Sequence, residues 1–333
     1  MTQRKRIALL STGGTIASAP GTEGRAIAGA LPGEQLLAST QLEGVIDVHV
    51  ESVFQKASNS IAAPEWAHLA KRCRMLAEKG DIDGIVITHG TDTLEDTAYY
   101  LHSTLDTQSV PVVVTGSQRT PHAMGSDAFS NLRQALELAA NDKARSLGVL
   151  VSFNQSVYSA GFVRKVSSYQ LNGFDAPGLG PVGLLDNGEF HLLQWPARQA
   201  LLPVPDQLVR VDILPVYGGA DRSTAESLVR SGCQGLVIDG LGRGQVPPSW
   251  VSVIENAIQD GLVVAVCSST LHGAVHESYD YPGALHDLVL AGAVSVSHVS
   301  ARKARIRLAL SLSAFGAQLD AIRSAFEWRS PFP

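Results

Sequence analysis

Short runs of aliphatic and β-branched residues alternate with stretches of helical spacing through the first two thirds of the chain. That alternation predicts a parallel sheet with crossover helices. Residues 84–97, GIVITHGTDTLEDT, show the unit most plainly. Ile85-Val86-Ile87 reads as a buried parallel strand. The chain turns through Gly90, and Leu94, Ala98, Leu101 and Leu105 then fall on one face of a helix. Asp92 and Glu95 stand in capping-box spacing at the join, and Thr93 with Asp96 offers a second register. Between strand and helix sit His89, Thr91, Asp92 and Thr93. Capping explains one such residue but not the cluster, and the carboxyl edge of a parallel sheet is where ligands bind.

The same patterning predicts strands at 6–10, 45–53, 110–114 and 149–153. Helices are expected at 64–79 and around Leu132, Ala135, Leu136 and Ala139. Residues 18–33 carry four glycines and two prolines with little periodicity and read as a mobile loop, placed like a lid beside a strand end. A hairpin-like segment is expected around 161–183. Three of the sixteen prolines fall in 196–205, so residues 196–211 read as a linker. It divides an N-terminal catalytic α/β domain (1–195) from a C-terminal α/β domain (212–333). In the latter, strands are expected at 209–216, 235–238 and 262–267, with helices at 223–231 and 248–259. Ala301, Ala304, Leu308 and Leu312 mark a closing helix.

Composition narrows the function classes. The 333 residues suffice for two domains, and 45% apolar with 17% charged residues is ordinary for a globular protein. A formal net charge of -5 gives no argument for nucleic acid or an anionic membrane. Cys73, Cys233 and Cys267 are odd in number and lack metal spacing. Neither a signal-peptide core in residues 1–12 nor a membrane-length apolar run is found, so a cytoplasmic location is expected. Thr12-Gly13-Gly14-Thr15 has the look of a phosphate loop but lacks the Lys-Ser/Thr ending.

What remains is hydroxyl chemistry. Thr12 and Thr15, Ser58, Thr91 and Ser117 each follow an expected strand, and parallel strands deliver such positions to one edge. A threonine is a poor nucleophile unless a base or a charge assists loss of its proton. Asp92 stands beside Thr91, and Lys165, one of seven lysines, follows a sheet strand in a polar segment. A lysine set against Asp92 would be poised for proton transfer.

Ser11-Thr12-Gly13-Gly14-Thr15-Ile16-Ala17 and Ile87-Thr88-His89-Gly90-Thr91-Asp92-Thr93 resemble the two signatures of the bacterial-type L-asparaginase (asparaginase/glutaminase) family. Ser58-Asn59, the block from Val114 to Arg119 and Gly180-Pro181-Val182-Gly183 are similar to further family blocks. The resemblance spans about 6 to 325. It implies a larger N-terminal, mostly parallel sheet with flanking helices and a smaller flavodoxin-like α/β domain. It also implies hydrolysis of L-asparagine to L-aspartate and ammonia without metal or cofactor. Thr15 would attack the amide carbon, while Thr91, Asp92 and Lys165 form the second constellation. Ser58, Asn59, Asp92, Thr91 and Ser117 would bind substrate. A homotetramer built as a dimer of dimers is implied, its site completed by Glu277 or Asp280 of a neighbour.

The sequence departs from the family in three places, the first being that the neighbour's acidic residue has two candidates, Glu277 and Asp280. The lid tyrosine has no counterpart, Arg25 or Ala26 standing near its position, and Arg243 stands where an asparagine is frequent. Glutamine or another small amide is the alternative substrate, and a non-catalytic amino-acid binder is the reading from another class.

Overall fold

The computed structural model describes residues 4–21, 25–42 and 45–330. The chain forms two compact units, one reaching Leu201 and taking in Ser330, the other spanning Leu202–Arg329.

The first unit is organised by an eight-stranded sheet. Its elements in chain order are β1 (Arg6–Gly13), β2 (Ala19–Pro20), β3 (Ala26–Ile27), α1 (Gly33–Ala38), β4 (Asp47–Lys56), α2 (Ala63–Lys79), β5 (Gly84–Thr88), α3 (Leu94–Thr104), β6 (Val112–Thr115), α4 (Ala128–Ala139), β7 (Leu150–Phe153), β8 (Ser156–Ser159), β9 (Arg164–Lys165), β10 (Phe174–Asp175), β11 (Gly183–Asp186) and β12 (Glu189–Leu192). The sheet order is β12-β11-β8-β7-β6-β5-β1-β4. β4, β1, β5, β6 and β7 run parallel, and β8, β11 and β12 continue the sheet antiparallel. The central strands are buried on both faces, hence their unbroken apolar runs. Leu9, Val86, Val113 and Leu150 point to one face and pack with Leu36 of α1 and Leu132, Ala135 and Leu136 of α4.

Register fixes where these strands stop. Ser11 pairs with Thr88 and Thr88 with Thr115, so β5 and β6 end at one level and β1 runs only two residues further, to Gly13. The residues that follow each strand therefore share one edge of the sheet.

Three expectations change here. Residues 18–33 are not simply irregular, because β2 and β3 pair as a short antiparallel hairpin and Leu31 N–H donates to the Ala17 carbonyl at 2.9 Å. Residues 22–24 lie outside the described residues. The expected capping box at the start of α3 is not formed: the helix begins after Thr93, whose side chain makes no cap bond. Finally, the expected hairpin region holds only the β9–β10 ribbon, while β11 and β12 extend the main sheet.

The second unit contains β13 (Val211–Pro215), α5 (Arg222–Val229), β14 (Gly235–Gly240), α6 (Val251–Gln259), β15 (Val263–Ser268), α7 (Leu285–Leu290), β16 (Val294–Ser295), α8 (Ala301–Phe315) and α9 (Leu319–Phe326). Its four strands are parallel and lie in chain order. Alternation divides the core between the faces. Leu236, Ile238, Val264 and Val266 pack with α5, α6 and α7 around Trp250, whereas Val237, Val263 and Ala265 pack with α8 and α9. No helix among the described residues is long and apolar enough to cross a membrane.

Candidate active site

The carboxyl edge of the large sheet gathers the short segments that follow β1, β4 and β6 around the one that follows β5, residues 89–93. The first follows β1, where Gly14 takes φ 79° and Thr15 opens a single 3-10 turn, Thr15–Ala17. Ser18 Oγ donates to the Gly14 carbonyl at 2.9 Å and closes that turn. A Cβ on Gly14 would collide with Cα and N of Gly90, and one on Gly90 would stand 2.8 Å from Ser58 Cβ. Only glycine allows backbones this close, so the residue before Thr15 touches the residue before Thr91. Thr15 itself is half-buried.

The second segment follows β4. Ser58, buried, begins the 3-10 turn Ser58–Ser60, and Asn59 is exposed beside it. Thr93 Oγ1 donates to the Ser58 carbonyl at 2.6 Å, so the hydroxyl expected to cap α3 joins two strand ends instead. The third segment follows β6. Gly116 lies where a Cβ would be 3.5 Å from Thr91 Cγ2, and the buried Ser117 donates its hydroxyl to the Arg119 carbonyl at 2.6 Å.

Lys165 arrives from β9. Its Nζ donates to Thr91 Oγ1 at 2.8 Å and to Asp92 Oδ1 at 2.7 Å. The lysine side chain is 16% exposed and the Asp92 side chain 73%, so the ion pair reaches from a half-closed edge into solvent. Glu95, expected as a cap, accepts from the Lys165 backbone N–H at 2.6 Å and pins the strand to α3. Sequence reasoning missed that role, because the partner is seventy positions away. Among the described residues no cluster of three His, Cys, Asp or Glu side chains is set to hold a metal ion.

Behind this edge lies a buried chain of polar groups. His89 Nδ1 is 2.8 Å from the Gly90 carbonyl, which can only accept, so Nδ1 carries the proton. Nε2 then accepts from Thr97 Oγ1 at 2.9 Å, and Thr97 accepts from Trp66 Nε1 at 3.0 Å. Burial pushes the His89 pKa down to about 4, partly opposed by its bond to Gly90. The unfolded chain, with a histidine near 6.5, takes up a proton that the folded state refuses. Stability therefore falls as pH drops from 6.5 towards 4, by about 3 kcal/mol in total, and this loss is absent above 6.5. Urea unfolding of wild type and His89→Gln across that range checks it; parallel pH curves would contradict the assignment.

Glu277 and Asp280 lie on the exposed loop after β15 in the second unit. Glu277 Oε2 is paired with His286 Nδ1 at 2.8 Å, and Asp280 sits between Tyr279 and Tyr281, whose rings are 5.4 Å apart. In the β2–β3 hairpin Ala26 is exposed and no phenol is offered at that point.

Residues 6–198 match the family described as "Asparaginase, N-terminal", and residues 210–326 match the "Glutaminase/Asparaginase C-terminal domain". An L-asparaginase of Bacillus licheniformis is 37% identical over 93% of this chain and 96% of its own. A glutaminase-asparaginase of Pseudomonas aeruginosa is 32% identical over 92% and 86%. The solved structure titled "Crystal Structure of Probable Cytoplasmic L-asparaginase from Campylobacter jejuni" superposes with a TM-score of 0.87 at 30% identity, covering 97% of this chain and 99% of that one.

Proposed function

From the premise that the chain belongs to the asparaginase family, whose members hydrolyse amides, we propose that it cleaves L-asparagine to L-aspartate and ammonia through a threonine nucleophile. The observation that carries this reading is the Lys165 ammonium bonded to both Thr91 and Asp92, beside the Gly14–Gly90 contact that seats Thr15. Thr15 Oγ1 attacks the side-chain amide carbon. The C–N bond breaks, ammonia leaves with the proton it receives, and an ester to Thr15 remains. Water then attacks the ester carbon and Thr15 recovers its hydroxyl proton as L-aspartate departs. Thr91 handles protons for the leaving amine and the attacking water, and the Lys165 charge lowers the cost of oxyanion character on Thr91. Ser58 and Asn59 receive the amino-acid end of the substrate with Asp92, and the Ser117 segment holds the amide. No step calls for a metal or cofactor.

The Pseudomonas relative and the substitution at Arg243 favour measuring substrate preference directly. The kcat/KM for L-asparagine is expected to exceed that for L-glutamine by about tenfold or more, the scale of one extra methylene in a fitted pocket. Ammonia release from both amides decides it, and equal values would replace the asparaginase reading with a broader amidase.

The Campylobacter neighbour, named a probable cytoplasmic L-asparaginase, supports a cytoplasmic location here. A homotetramer is expected, with Glu277 or Asp280 completing a neighbour's site; the exposed Tyr279 and Tyr281 flanking Asp280 suit such an interface. Light scattering after gel filtration measures the assembly.

A further inference from the structure

The strand that carries Lys165 is slight. Arg164–Lys165 pairs with Phe174–Asp175, only two residues a side, and the turn between them exposes Val166 by 47% and Tyr169 by 73%. A ribbon of this size has little stability alone. Phe174 anchors one of its strands, buried with its ring 4.7 Å from that of Phe153, and two further polar contacts hold the Lys165 strand and the turn near Thr91. One is the Lys165 N–H to Glu95 bond already described. The other comes from Gln118, whose Nε2 donates to the carbonyls of Ser167 and Gln170, each at 3.0 Å. Both amide hydrogens are thereby used, each on a turn carbonyl. The space beside that amide is tight, since a Cβ on Gly173 would collide with Gln118 Nε2.

The other end of Gln118 is firmly rooted. Its backbone N–H donates to Asp127 Oδ2 at 2.9 Å, and that of Arg119 donates to Asp127 Oδ1 at 3.0 Å. Asn131 Nδ2 donates to Asp127 Oδ2 at 3.0 Å and to the Gly116 carbonyl at 2.9 Å, while Asn131 Oδ1 accepts from Asn154 N–H at 3.0 Å. Asp127 and Asn131 are buried at the start of α4. A carboxylate that accepts two charge-assisted bonds from consecutive peptides fixes their orientation. The segment after β6 is thus clamped to helix and sheet, and one side chain reaches from it to the ribbon.

We propose that Gln118 is a positioning residue for Lys165, latching the Lys165 ribbon to the clamped 116–119 segment so that Nζ stays on Thr91 and Asp92. This inference rests on the amidohydrolase reading for its effect on rate, but not for the latch itself. Without the latch the ammonium wanders, and a displacement near 1 Å costs up to about a hundredfold in rate. A glutamate could not substitute, because its carboxylate would face two carbonyls with nothing to donate.

The test uses full-length Gln118→Leu with two readouts. Lys165 acetylation by dilute acetic anhydride, read by peptide mass spectrometry against Lys79, reports the latch without substrate; the Lys79 side chain is 70% exposed and far along α2. The expected result is a several-fold faster Lys165 reaction, with kcat on L-asparagine lower by about tenfold and KM within about twofold. An unchanged labelling ratio overturns the latch. Faster labelling with unchanged kcat, or a loss confined to KM, overturns the positioning role. Wild-type protein that releases no ammonia sinks the amidohydrolase reading instead, and labelling alone then judges the latch. Should Gln118→Leu fail to fold by circular dichroism, Gln118→Asn, one methylene short of both carbonyls, is measured identically and is expected to show the same direction.

Discussion

Thr15→Ala releases ammonia from L-asparagine at least about four orders of magnitude more slowly than wild type, with its fold intact. A nucleophile that forms the covalent intermediate is not replaced by its neighbours, and losses of this size follow its removal in enzymes that work through one. Stability is expected to stay within about 0.5 kcal/mol. The 3-10 turn that Thr15 opens is held by backbone bonds, Ala17 N–H to the Gly14 carbonyl and Ser18 N–H to the Thr15 carbonyl. Its packing comes from the buried Ile16 and Ala17. The measurement is steady-state ammonia release at high enzyme concentration beside a thermal melt. Activity within tenfold of wild type would remove Thr15 from its role. L-Aspartate binding with no turnover in the wild type would turn the reading toward a non-catalytic amino-acid binder.

The second large effect belongs to Lys165→Met, for which kcat is expected to fall by about 10²–10⁴-fold, the range for a positioned proton-transfer group. Methionine keeps length and apolar stem but removes the ammonium from between Thr91 Oγ1 and Asp92 Oδ1. The Lys165 N–H to Glu95 bond is backbone and persists, so the ribbon stays on α3. Lys165→Arg is expected not to restore the rate, because a planar guanidinium cannot place one donor where Nζ stands. Stopped-time ammonia assays on the three proteins decide it; a methionine variant within tenfold of wild type would mean that Thr91 is tuned by another group.

The parts legible in the sequence are those that local physics dictates. β5 and β6 are buried on both faces, so Ile85-Val86-Ile87 and Val112-Val113-Val114 announce themselves as apolar runs. Their level ends, Thr88 and Thr115, follow from in-register parallel pairing, with Ser11 of β1 beside Thr88, and the hydroxyl-bearing segments follow from those ends. Other elements are hidden for identifiable reasons. α7 and β16 are too short to establish a period, at six and two residues. β11 and β12 are a different case, since Asn187-Gly188 between them takes positive φ at both positions, and Asn-Gly is a strong hairpin signal. That dipeptide could have found them.

Tertiary partners explain the rest. Glu95 and Thr93 carry the spacing of helix caps, yet each spends its side chain or hydroxyl on a distant segment, the Lys165 strand and the Ser58 turn. Gln118, Asp127 and His89 gave no local sign of their parts in the clamp, the latch and the buried chain behind Gly90. Their partners lie between one and fifty-two positions away, and only the folded sheet brings the distant ones near.

Every side chain of α3 is buried, including those of Glu95, Asp96, Thr97 and His102. An engineer who wishes to tether, label or recharge this protein finds no purchase on that helix, and a diversity library spread over it would consist largely of insoluble clones. Useful variation has to come from outward-facing positions given no part in the site, such as Met75 and Lys79 on α2, where new side chains can be tolerated while the scaffold underneath remains untouched.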